Sequence, residues 1–200
     1  RGFGGANNVG ALATESEFIA LVNSDAVVLP EGLKMLRNYL KQHKQVGVVG
    51  PRLLNPDGSF QESRFHFPSP WMAWMENLGV HRLKRALKRK GGLRSGRVEW
   101  LSGACLLIRR SVWEEMGGFD ETFFLYSEET DLQRRIRGSG REVHWVPEAL
   151  VTHLGGGSGV GRRAEVRECF FSGVDRYFLK HHGRVGMFSL RCATACGAAL

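Results

Sequence analysis

The chain has 200 residues, of which 42% are hydrophobic and 24% charged, an ordinary globular composition with room for one sizeable core. No apolar run reaches the ~18–20 residues of a membrane-spanning helix, and the opening "RGFGGANNVG" is not a signal peptide. The formal net charge of +8 is local: Arg82, Lys84, Arg85, Lys88, Arg89, Lys90, Arg94 and Arg97 fall in a stretch without acids, and without them acidic and basic residues balance.

"FIALVNSDAVVL" begins as a buried strand, a short apolar run that ends at Asn23-Ser24-Asp25. "PEGLKMLRNYLKQH" reads as a helix, with Pro30 and Glu31 in its first turn and Leu33, Leu36 and Leu40 at helical spacing. "VGVVGPRLL" is a second strand, with Pro51 at its end or on an edge, and "NPDGS" is a turn. This strand–helix–strand order predicts a parallel sheet with crossover helices. Trp71, Trp74, Met75 and Leu78 have helical spacing, followed by Leu83 and Leu87 among the basic residues.

"VEWLSGACLLIRR" returns to strand. "SVWEEMGGFDETFFLY" starts as a short helix with Ser111 as N-cap and turns at Gly117-Gly118. "SEETDLQRRIRGSG" is a helix with Ser127 as N-cap and Gly138 and Gly140 at its end. A strand, a turn and a glycine-rich loop follow, then a final amphipathic helix from "RRAEVRECFFSG" onward. The expected organisation is an α/β domain over residues 1–160, with a basic amphipathic insert at about 71–97, and a C-terminal helical segment over 161–200. The chain starts without Met and stops in mid-pattern at "FSLRCATACGAAL", so a longer parent protein is expected. Cys105, Cys169, Cys192 and Cys196 show no CxxC or zinc spacing and read as reduced thiols, Cys105 in the core.

Three places carry chemistry. Asp25 follows a buried strand, where open α/β sheets bind ligands. It suits Mg²⁺ or Mn²⁺ shared with a diphosphate, and equally a turn in which Asp bonds its own backbone. Glu128, Glu129 and Asp131 lie in a helix's first turn, where the dipole alone favours acids. Glu128 and Asp131 share a face that reaches Arg134 and Arg135, while Glu129 points elsewhere. A carboxylate beside Phe123, Phe124 and Tyr126 would also be desolvated and suited to take a proton. His153 ends an apolar strand before a run of glycines and is either structural or a metal ligand.

In chain order, "GFGGANNVG", "LVNSDAVVLPEGL", "WLSGACLLIRRSVWEEMGGFDETFFLYSEETDLQRRIRGSG" and "VPEALVTHLGGGS" resemble the bacterial family 2 glycosyltransferases, most closely the rhamnosyltransferase group. The resemblance covers Gly2 to about Ser158. It implies an α/β GT-A fold, a mainly parallel sheet flanked by helices, here lacking the family's first nucleotide-binding strand. Asp25 matches the last acid of the metal motif and Asn23 its first position. Gly4 and Asn7 fall with them on the donor side. Glu128-Glu129 matches the family's acid pair, whose second member is the general base, with Glu in place of the usual Asp. His153 matches a histidine near metal and diphosphate. Trp100, Ser102 and Gly103 match the loop lining the acceptor.

The implied protein is an inverting glycosyltransferase of bacterial surface polysaccharide synthesis. Its cofactor is Mg²⁺ or Mn²⁺, its donor a nucleotide-sugar and its acceptor a saccharide or lipid-linked glycan. The tryptophans ahead of the basic run favour an anionic membrane surface over nucleic acid, on the cytoplasmic face of the plasma membrane. The alternative is a non-catalytic transferase-like module that binds membrane or nucleic acid through that segment.

Overall fold

A computed structural model describes residues 2–29, 31–79, 94–155 and 163–198. The expected basic helical run lies mostly outside these residues, with only Arg94 and Arg97 described. In chain order the elements are α1 (Gly2–Leu12), β1 (Phe18–Val22), β2 (Ala26–Val28), α2 (Gly32–Gln42), β3 (Val46–Leu54), β4 (Phe60–Gln61) and β5 (Arg64–Phe65). There follow α3 (Pro70–Asn77), β6 (Gly96–Val98), β7 (Trp100–Leu101), β8 (Cys105–Arg109), α4 (Arg110–Met116), α5 (Glu128–Gly138), β9 (Glu142–His153) and α6 (Arg163–Ala198).

The central sheet runs β1-β8-β3-β9-β2, with β4 on β3 and β6 on β9. β8 is antiparallel to both β1 and β3, and β3 is parallel to β9. So β1, β3 and β9 point the same way, as the crossover reading requires, and β8 is inserted between two of them. The sheet is therefore mixed. "CLLI" is apolar throughout because β8 is buried on both faces: Leu106 and Ile108 join one core cluster, Cys105 and Leu107 the other. Leu36 and Leu40 of α2 are fully buried and cover one sheet face. Trp113 of α4 and Leu132 and Ile136 of α5 cover the other.

Pro51 is in the interior of β3, between β8 and β9, and not at an end. It sits at a register shift, where Pro51 faces Val146 but Arg52 faces Leu150, and a bulge is where a strand tolerates a missing N–H. α4 begins at Arg110, so Ser111 lies inside its first turn and Arg109 holds the cap position. Gly117 ends this helix in the left-handed conformation, as expected. α3 is capped by Ser69, whose hydroxyl accepts from Met72 N, and packs against α6 through Ala73, Tyr177, Phe178 and Ala193. α6 breaks at Gly183 (φ 64°, ψ −169°) into two helical halves. Among the described residues, no helix is long and apolar enough to cross a membrane.

Candidate active site

The carboxyl ends of β1, β3 and β9 share one edge of the sheet, and the chain turns there at Asn23–Asp25. β2 then pairs with the end of β9, Ala26 opposite His153. This brings His153 Nε2 to 3.3 Å from Asp25 Oδ1. On the other side of the ring, Nδ1 lies 2.8 Å from Gln61 Oε1. The Gln61 amide is oriented by donating to Asn55 Oδ1 at 2.9 Å and to the His153 carbonyl at 3.3 Å. Its oxygen therefore accepts from Nδ1–H, which leaves the Nε2 lone pair facing Asp25. Two donor atoms in cis positions of an octahedral ion, each about 2.1 Å from it, are roughly 3.0 Å apart, so the observed spacing suits a shared cation. Asn23 Oδ1 is buried without a hydrogen-bond partner, a second oxygen open to a ligand. Among the described residues no third His, Cys, Asp or Glu completes a metal cluster. The remaining coordination would fall to water and ligand oxygens, as is usual for Mg²⁺.

The second half of the site is the start of α5. Tyr126 and Ser127 both adopt left-handed backbone (φ 71° and 69°), which turns the chain sharply into the helix. Ser127 holds the cap position, but in this conformation its hydroxyl makes no capping bond. Gly173 of α6 packs on the corner, and a Cβ there would lie 2.5 Å from the Tyr126 carbonyl. Glu128 is buried and Glu129 half-buried, and Oε2 of each lacks a hydrogen-bond partner. Burial, with the negative charge of Glu129 beside it, pushes the Glu128 carboxyl up to about 8. Burial raises Glu129 too, opposed by the backbone N–H groups of Glu129, Thr130 and Gly103. Two acids this close share their protons, and the one with more N–H donors ionises first. The N–H groups therefore favour the negative charge on Glu129, and the proton on Glu128.

Gly103 lies directly against that carboxylate: a Cβ on it would meet Glu129 Cγ at 3.3 Å and Cδ at 3.6 Å. Gln133, one turn along α5, holds the loop in place. Its Oε1 accepts from Leu101 N at 2.8 Å, and its Nε2 donates to Leu101 O at 2.8 Å and Glu129 O at 3.0 Å. Ser102 N donates to Ser63 O, and Trp100 Nε1 to His66 O. Asn23 N donates to Ala104 O at 3.0 Å, tying the Asp25 turn to the same loop. Tyr126 stands between the halves: burial raises its phenol, as do the charges of Cys169, Glu128, Glu129 and Asp25.

Several expectations change. Glu128 forms no pair with Arg134 or Arg135. Asp131 does pair with Arg135 at i+4, as the spacing predicts, while Arg134 donates instead to the Tyr177 hydroxyl at 2.7 Å. Phe123 is buried under α6 and Phe124 is 63% exposed, so Tyr126 is the aromatic beside the acids. Gly4 is buried against Phe119 and Glu128, and the Asn7 amide donates back to Phe3 O. Both contribute to α1 and its packing in this structure. Gln61 and Gln133 carried no signal in the sequence, because a lone amide has no spacing to betray its partner.

The raised Glu128 carboxyl has a consequence for stability. In the unfolded chain this group ionises near 4.5, in the folded one near 8. Between these values the unfolded state binds fewer protons, so stability falls as pH rises. Glu128→Gln fixes the neutral form and is expected to melt above the wild type at pH 8, by on the order of a few kcal/mol, yet alongside it near pH 4.5. Identical pH slopes in thermal melts of the two proteins would refute this.

A family model described as glycosyltransferase like family 2 matches residues 1–170. The chain belongs to this glycosyltransferase family. It is 30% identical over 151 residues to the N-acetylglucosaminyl-diphospho-decaprenol L-rhamnosyltransferase of Mycobacterium tuberculosis, covering 68% of this chain and 47% of the relative. It is 29% identical over 154 residues to the O-antigen biosynthesis protein RfbC of Myxococcus xanthus, covering 74% of this chain and 12% of that protein. The chain thus spans about half or less of the length of these relatives. Its fold matches that of GalNAc-T7 solved with UDP, GalNAc and Mn²⁺, at a TM-score of 0.56 and 17% identity over 76% of this chain and 30% of the other. The architecture is GT-A.

Proposed function

We propose that this chain carries the catalytic site of an inverting glycosyltransferase that moves a sugar from a nucleotide-sugar to a hydroxyl of a saccharide or lipid-linked acceptor. The observation that carries the reading is the placement of the Glu129 carboxyl, desolvated, within reach of backbone N–H groups and against the 102–104 loop that is tied to the Asp25 turn. An acceptor hydroxyl on that loop gives its proton to Glu129 as its oxygen attacks the anomeric carbon. The bond to the diphosphate breaks on the opposite face, and the leaving group departs with the electron pair. A general base of this kind contributes roughly 10²–10⁴-fold. Asp25 and His153, with Asn23 beside them, would hold a divalent cation, which supplies charge neutralisation for the leaving diphosphate. The names of the relatives support a rhamnosyl donor and a role in bacterial surface polysaccharide.

The test is calorimetry of the intact gene product with a panel of uridine and thymidine diphosphate sugars, with and without Mn²⁺. Asp25→Asn is expected to abolish the Mn²⁺-dependent part of donor affinity and leave the fold intact by circular dichroism. A variant that keeps this dependence removes Asp25 from the donor site.

Membrane placement is part of the same reading. Trp71 is 70% exposed on α3, just ahead of the basic run of residues 82–97. Each basic residue near an anionic leaflet contributes about 1 kcal/mol. Replacing Lys84, Arg85, Lys88 and Arg89 by Gln should release the protein from phosphatidylglycerol vesicles in co-sedimentation. Unchanged pelleting of that variant would sink the surface role.

A further inference from the structure

We propose that the groove beside the C-terminal half of α5 is a subsite for a phosphate or diphosphate group carried by the acceptor, an inference that rests on the transferase reading above. The groove encloses about 660 Å³ between α3, α5 and α6. Arg134 and Arg137 of α5 line it together with His66 and with His182 of α6. Among the described residues neither arginine has an ion pair. Arg134 Nη1 bonds the Tyr177 hydroxyl and lies 3.3 Å from His182 Nε2, and Arg137 Nη1 reaches the Val98 carbonyl at 3.3 Å. The one acid on the wall, Glu99, is already engaged, accepting from Phe67 N at 2.6 Å and lying 3.0 Å from His66 Nδ1. Two guanidiniums that form no close ion pair among the described residues, with imidazoles beside them, suit a phosphate, which Arg binds through paired N–H donors. Phe67, Pro68 and Met72 add an apolar wall.

The groove is in line with the proposed base. Glu129, Gln133 and Arg137 are spaced four apart and follow one stripe of α5. The strand beside them keeps step: Gly103 lies against Glu129, Leu101 against Gln133 and Val98 against Arg137. Eight residues of helix separate Glu129 from Arg137, about 12 Å at 1.5 Å per residue. That matches the reach of one sugar with a diphosphate attached. A hydroxyl at Glu129 and a phosphate at Arg134 and Arg137 would fix the acceptor at both ends, which is how positioning lowers a barrier.

The test is calorimetry of the metal-free intact gene product with inorganic pyrophosphate, followed by farnesyl diphosphate. Arg134→Gln/Arg137→Gln is expected to bind pyrophosphate at least tenfold more weakly than the wild type, and Asp25→Asn to bind it equally well. Arg137→Gln alone, whose side chain carries a single long bond, should show part of the loss even if the double variant fails to fold. Farnesyl diphosphate binding at least tenfold tighter than pyrophosphate assigns the site to a lipid headgroup, and equal affinities assign it to a water-soluble phosphate. In turnover assays the double variant should raise the acceptor KM and spare the donor KM. Arginine-dependent pyrophosphate binding without any sugar transfer supports the subsite while counting against the transferase reading. Pyrophosphate binding unchanged in both arginine variants overturns the subsite, whatever the enzyme transfers.

Discussion

Glu129→Gln in the intact gene product is expected to lower kcat at least ~10²-fold, the lower range for loss of a general base, with donor affinity unchanged. The amide keeps the size of the side chain and its contact with Gly103 but cannot take a proton. Donor affinity survives because Asp25 and His153 lie at the strand ends and not on α5. Glu129→Asp should retain more activity than Gln, since an ionisable group remains in front of the loop. Glu128→Gln should retain the most, because that carboxyl already holds its proton at neutral pH. Steady-state kinetics on the three variants decides. Near wild-type turnover of Glu129→Gln beside a folded but inactive Glu128→Gln would assign the base to Glu128.

The largest expected loss of stability is at Asp131. Its side chain is fully buried, and two cationic side chains and the His181 imidazole converge on it. Arg135 Nε lies 2.8 Å from Oδ2, and Lys180 Nζ and His181 Nε2 each lie 2.8 Å from Oδ1. Arg135 also donates to Met116 O and Gly118 O, so the cluster joins α4, α5 and the first half of α6. Asp131→Asn leaves Arg135 without its counter-charge, while Lys180 keeps Asp120 at 2.7 Å, and breaking a buried pair costs about 3–5 kcal/mol. At roughly 2–4 °C per kcal/mol for a chain of this size, the melting temperature should fall by about 6–20 °C. A melt within a degree or two of wild type would mean that solvent reaches the cluster.

What could be read from the sequence was local. The Asp25 turn was visible because an apolar strand stops there, and the first turn of α5 because its acids and flanking glycines mark a helix. Pairings between distant segments were not. Nothing in "CLLI" says that it slots between β1 and β3, since a run buried on both faces looks the same in any order. α1 escaped notice because glycines argue against a helix; Gly4 and Gly5 are buried in it, so tertiary packing overrides propensity. The partners of Glu128 were misjudged for a related reason. Spacing on a helix says which side chains share a face, not what stands opposite: it foresaw Arg135 on Asp131, but Arg134 found Tyr177 and His182. The histidine at 153 could be picked out, but the glutamine that sets its tautomer could not.

The left-handed corner at Tyr126 and Ser127 bears on how this protein would respond to laboratory evolution. Non-glycine residues in that conformation cost on the order of 1–3 kcal/mol each, and the corner sets where the helix carrying Glu129 begins. A library screened only for heat resistance should therefore enrich glycine at these two positions, where it relieves the strain. Such clones would also lose the phenol that stands between the acids and Asp25, and the added backbone freedom would blur the aim of Glu129. Robustness and turnover are opposed at this corner, and a screen that scores both should keep the strained pair.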